Sequence, residues 1–158
     1  MGERRAIRSV AELYAHALAM EFEAAERYRE FAGWMADFGN ESVARLFNEL
    51  AAHETAHARR LVQQTEGMAL PRISMYEYAW LELGAPETVA RGLVSRQLMP
   101  EDALKIALAA EERAKRFFDH VFNTAEDPAL IELAAEMGRE EQEHVAWVKQ
   151  ALERLTSA

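Results

Sequence analysis

The sequence predicts an all-α fold, a bundle of four long helices in which one long crossover joins the second helix to the third. Three observations carry this. The 158-residue chain is half apolar yet holds only seven Gly and four Pro, too few backbone breakers for a turn-rich β fold. Ala, Glu, Leu and Arg dominate it, and these residues lose little side-chain freedom in a helix. Four stretches also space their apolar residues three and four apart, the period of one helix face. The length suits a single domain spanning 1–158.

The first helix is predicted over 9–38. Ser9 with Glu12 three residues on reads as a capping box, and Gly39-Asn40 as the stop. Its seam is Tyr14, Ala17, Glu21, Ala24, Tyr28, Phe31, Met35 and Phe38. The second helix is predicted over 41–66, closed by Gly67, with Val43, Phe47, Leu50, Glu54, His57 and Leu61 on its seam. So short a break between two long helices implies an antiparallel hairpin. The crossover, 67–99, is punctuated by Pro71, Gly84, Pro86 and Gly92. Short amphipathic helical pieces are expected near 74–83 (Tyr76, Tyr78, Trp80, Leu81) and 87–96. Pro100 opens the third helix, 100–124, with Glu101 and Asp102 favourable in its first turn. Its seam is Leu104, Ala107, Glu111, Ala114, Phe118 and Val121. Asp127-Pro128 opens the fourth, 128–155, seamed by Leu130, Leu133, Met137, Glu141, His144, Val148 and Ala151.

Each seam is interrupted by acid. Glu54-Thr55-Ala56-His57 and Glu141-Gln142-Glu143-His144 each place a carboxylate and an imidazole one turn apart on the buried face. Glu21 stands 33 residues before Glu54, and Glu111 stands 30 before Glu141. The chain therefore reads as a duplicated helical hairpin. Helices packed up-down-down-up bring four carboxylates and two imidazoles to the bundle centre. Four buried carboxylates cannot all stay ionised without cations, and two divalent metal ions balance them. The small residues Ala24 and Ala114, one turn after the lone acids, leave room beside the metals.

This is the ligand pattern of ferritin-like di-iron carboxylate bundles, and from about Val10 to Leu155 the chain resembles the rubrerythrin and bacterioferritin branch of that superfamily. The resemblance implies Glu21, Glu54, His57, Glu111, Glu141 and His144 as metal ligands. It also implies a hydrogen bond from Tyr28 to a ligating carboxylate, a role its counterpart Phe118 cannot share. Three departures qualify it. Rubrerythrins add a rubredoxin domain with four cysteines; this chain has none and matches only the four-helix part. The rubrerythrin site has an extra Glu one turn after the third-helix acid, where this chain has Ala114, so the six-ligand set is closer to the bacterioferritin type. The short stretch after His144 and the long crossover argue against a 24-subunit storage shell.

The resemblance implies two iron ions, with manganese or zinc compatible with the same ligands, and a rubrerythrin-type oxidoreductase reducing peroxide or O₂. Its electrons would come from a separate donor. The rivals are a non-cage ferroxidase or iron-binding protein and a di-iron oxygenase acting on an organic substrate. Met35 and Met137 are core positions, and haem is not expected. His16, His53 and His120 lack a seam partner. Glu112, Glu140 and Glu143 flank the ligands but are read as solvated. The net charge of −9 argues against nucleic acid as a partner. The absence of cysteine excludes disulfides, thiolate-bound zinc and iron–sulfur clusters. With no secretory leader and no apolar run of spanning length, a cytoplasmic protein without a membrane partner is expected, forming a homodimer by family resemblance.

Overall fold

Helix boundaries fall where side chains or a left-handed residue satisfy the orphan backbone groups of a helix end. In this computed structural model, which describes residues 7–73 and 99–157, α1 spans Val10–Asp37 and α2 spans Glu41–Gln64. α3 spans Pro100–Thr124 and α4 spans Pro128–Thr156. Ser9 caps α1, its Oγ accepting from the Glu12 N–H at 3.1 Å. The reciprocal half of the expected capping box is displaced by one residue. With Ser9 extended, Glu12 Oε2 accepts from the Arg8 N–H at 3.2 Å.

Between α1 and α2 the chain reverses through Gly39, whose φ of +80° is open to glycine without a Cβ penalty. The Asn40 N–H then reaches back to the Met35 carbonyl at 2.8 Å, closing α1. The Asn40 side chain opens α2 by accepting from the Val43 N–H at 3.2 Å. One residue thus ends one helix and starts the next. α2 stops at Gln64, short of the expected end, because the chain turns at Thr65 and Gly67 takes up φ +80°. At α3, Asp102 Oδ2 accepts from the Met99 N–H at 3.3 Å ahead of Pro100 at N1. At α4, Asp127 Oδ1 accepts from the Ala129 N–H at 3.0 Å.

Two apolar clusters give the topology. One joins the C-terminal half of α1 (Tyr28, Phe31, Met35), the N-terminal half of α2 (Val43, Phe47, Leu50), the N-terminal half of α3 (Leu104, Ala107) and Val148 of α4. The other joins the N-terminal half of α1 (Leu13, Ala17, Met20), Leu61 of α2, the C-terminal half of α3 (Phe118, Val121) and the N-terminal half of α4 (Leu130, Leu133, Met137). Helices sharing ends in this way run up, down, down, up. The fold is an all-α four-helix bundle with α2 and α3 parallel. Consecutive helices that run the same way need a connection that travels the length of the bundle, hence the long stretch between them. The short helical pieces expected near 74–83 and 87–96 lie outside the described residues. Among the described residues, no helix is long and apolar enough to cross a membrane.

Phe47 anchors the first cluster. It is fully buried, meets Phe31 edge-on at a ring separation of 5.3 Å and lies 6.0 Å from the Tyr28 ring. Phe47→Ala should cost about 3–5 kcal/mol in urea denaturation. Phe22→Ala, at a side chain 51 % exposed, should change stability by less than about 0.5 kcal/mol.

Candidate metal centre

Between the two apolar clusters lies a single polar layer. The α-helical period carries Glu21, Glu54, Glu111 and Glu141 onto the same inward faces as the Phe and Leu residues around them, one acid per helix. Glu21 and Glu54 are 1 % exposed, Glu141 2 % and Glu111 3 %. His57 and His144 follow one turn after the acids of α2 and α4 and are also buried.

The six side chains form two overlapping groups. Ligand atoms of Glu21, Glu54 and His57 lie within 4.8 Å of one another, and so do those of Glu54, Glu111 and His144. Glu54 belongs to both. His57 Nδ1 lies 3.2 Å from Glu21 Oε1. His144 Nδ1 lies 2.9 Å from Glu54 Oε1, 3.4 Å from Glu111 Oε2 and 3.7 Å from Glu141 Oε2. A narrow pocket opens on the layer. The four carboxylates line it together with Met20, Ala24, Ala110 and Ala114. Sequence reasoning found Ala24 and Ala114 by their spacing from the lone acids. It missed Met20 and Ala110, each one position before a lone acid and off the seams read from the spacing.

The layer handles its charge by holding protons. Burial opposes a charged His57, but its hydrogen bond with Glu140 and the nearby Glu21 carboxylate push its pKa from 6.5 up to about 9. Burial likewise opposes a charged His144, and Glu111 and Glu141 push it up to about 11. Burial, and then the charges of Glu111 and Glu21, raise the Glu141 carboxyl well above its ordinary range. Glu111 goes the other way. Burial works against its charge, but the neighbouring His144 and Glu141 side chains and the Tyr28 hydroxyl hold it low.

Several polar atoms remain unused. Glu21 Oε2, Glu141 Oε2, His57 Nδ1 and His144 Nδ1 are buried without a hydrogen-bond partner; the imidazole nitrogens stand close to carboxylates but are not aligned to donate to them. A buried polar atom left unpaired costs about 1–3 kcal/mol. Four such atoms in one layer, all carboxylate oxygen or imidazole nitrogen, fit a cation site, because a cation satisfies them together.

Two supporting contacts surround this layer. The Tyr28 hydroxyl donates to Glu111 Oε1 at 2.5 Å. Burial, then the Glu111 charge, raise the Tyr28 pKa well above its ordinary value, so the phenol stays a donor. Phe118, its counterpart in the second half, sits in the apolar cluster beyond the layer. The second contact corrects the reading of Glu140 as solvated. Its carboxylate engages His57 Nε2, with the Glu140 side chain 25 % exposed. One residue before Glu141, it is turned about 100° around α4, away from the pocket and toward α2, where the outer edge of His57 meets it. Its adjacency to Glu141 was the only trace of this in the sequence. Of the histidines without a seam partner, His53 packs edge-on against Trp147, His16 lies against Phe117, and His120 is exposed.

Fold and site together define a ferritin-like four-helix bundle with a carboxylate–histidine cluster suited to metal. A family model described as Rubrerythrin matches residues 12–90, which takes in Glu21, Glu54 and His57. A crystal structure of an uncharacterized conserved protein from Magnetospirillum magnetotacticum MS-1 superposes with a TM-score of 0.80 at 31 % identity, covering 92 % of this chain and 95 % of that one. No curated protein matches the chain. The chain belongs to the rubrerythrin family.

Tyr28→Phe leaves Glu111 Oε1 without its donor and should lower the stability of the metal-free protein by about 1.5–3 kcal/mol in urea denaturation, the range for a hydrogen bond to a charged group. A pH effect follows from His57. Its folded pKa is raised, so its contribution to stability is fully present below about pH 6.5 and is lost as pH rises through about 9. Denaturation of metal-free protein across that window should show stability falling with pH, and His57→Ala should flatten the slope.

Proposed function

We propose that the chain is a di-iron oxidoreductase of the rubrerythrin type, reducing peroxide or O₂ with electrons from a separate donor. The observation that carries this reading is the set of four buried carboxylates facing two imidazole nitrogens that have no hydrogen-bond partner. Glu21, Glu54 and His57 would hold one ion. Glu54, Glu111, Glu141 and His144 would hold the other, with Glu54 common to both. When bound, a pair of irons supplies two electrons, one from each, for reduction of an O–O bond.

The chain's own residues do the rest. Tyr28 occupies Glu111 Oε1 and leaves Oε2 as the oxygen turned toward His144. Glu140 engages the outer nitrogen of His57 and so directs Nδ1 inward. Met20, Ala24, Ala110 and Ala114 give the pocket an apolar lining beside the carboxylates. Among the described residues that lining is small and, apart from the carboxylates, apolar, which suits a small oxidant such as peroxide or O₂. The chain has no cysteine and so no thiolate-bound iron of its own to relay electrons, hence the separate donor.

Metal analysis of iron-reconstituted protein should give two irons per chain. Glu54→Ala removes the carboxylate shared by both sets and should reduce this to less than one, and His144→Ala should remove about one. No more than trace iron, manganese or zinc in the unmodified protein would sink the reading. In stopped flow, the reduced protein should be reoxidised much faster by peroxide than by O₂. Preference for O₂ with continued Fe(II) turnover would identify a ferroxidase instead.

A further inference from the structure

The duplication makes a prediction that the structure breaks. Equivalent positions in the two halves should serve the two imidazoles alike. The residue before the acid of each Glu-x-x-His is Glu140 in one half and His53 in the other, and the residue one turn after each histidine is Arg60 or Trp147. In the bundle each of these positions serves the opposite half.

Behind His57 stands an anion. Glu140 engages Nε2, and the Arg60 charge acts on that carboxylate in turn. Among the described residues, no anion stands behind His144. Its carboxylate neighbours all approach Nδ1, at 2.9, 3.4 and 3.7 Å, and among the described residues no carboxylate lies within 4.0 Å of Nε2. His53, in the place equivalent to Glu140, is packed edge-on against Trp147 with ring centroids 4.7 Å apart.

A histidine binds metal through a nitrogen that carries no proton. A carboxylate on its other nitrogen fixes that tautomer, holds the ring plane and raises ligand basicity. We infer that the two metal positions are unequal by construction. Glu140 is a positioning residue that makes the His57 position the tighter one and the first to fill, and the His144 position is the weaker one, filled second. The His144 position has more carboxylates around it, but Tyr28 occupies one oxygen of Glu111, and Glu54 is shared with the position already filled. This inference rests on the dinuclear reading above and adds the order of loading.

The test is a titration of metal-free protein with cobalt(II), read by visible absorption and by calorimetry, with no turnover involved. Two equivalents should bind in two resolved steps. His57→Ala should remove the tighter step and His144→Ala the weaker. Glu140→Ala should weaken the first step about 10–100-fold, the usual effect of losing such a partner, with little change in the second. His53→Glu, which places a carboxylate behind His144, should tighten the second step and leave the first in place. Two equivalents bound in indistinguishable steps, or a first step untouched by Glu140→Ala, would overturn the loading order alone. Binding of fewer than two equivalents by the unmodified protein would overturn the dinuclear reading and this inference with it.

Discussion

Four carboxylates lie in one layer between two apolar clusters, each no more than 3 % exposed. Desolvating a single ionised carboxylate costs several kcal/mol unless it is compensated, so a layer of four is stable only with positive charge or protons in it. Without metal, protons serve. His57 and His144 are pushed up to about 9 and about 11, and Glu141 is held toward its neutral form. On the dinuclear reading proposed above, metal and protons would compete for the same atoms. The lengths of the helices follow from the same constraint. Each must continue past its acid in both directions so that apolar residues close the layer above and below.

The groups around the layer divide the work. Tyr28 and Glu140 reach it from outside, one fixing a carboxylate and the other an imidazole, and neither has an equivalent in the other half. Phe118 takes the place of Tyr28, and His53 that of Glu140. A duplicated hairpin supplies two similar sets of buried carboxylates and imidazoles, and single differences behind them then make the sets different. The four acids and two histidines keep the symmetry, and the residues that support them, Tyr28 against Phe118 and Glu140 against His53, break it.

Much of this was legible in the chain. The acids stood out because they interrupted seams of period three and four, where a charge is costly. The helix starts at Ser9, Pro100 and Pro128 were legible because capping and proline geometry are local. Asn40 was half legible: it marked the end of α1, but its second role as the cap of α2 depends on the turn that Gly39 makes. Glu140 was not legible. It has the composition of a solvated residue, and its partner is 83 positions away. The helical period says which way a side chain leaves its own helix and nothing about what stands opposite.

By itself, then, the sequence determined four amphipathic helices, the hairpin joining α1 to α2, the repeat of that hairpin, and the seam positions of six polar residues. These follow from backbone periodicity and the cost of burying charge, and both act within one helix at a time. Only the tertiary structure decided that Tyr28 meets Glu111, that Glu140 meets His57, and that His53 turns to Trp147. Such pairings depend on how far each helix is rotated and shifted against its neighbour. An ångström or two of offset changes which oxygen meets which nitrogen while every seam stays buried.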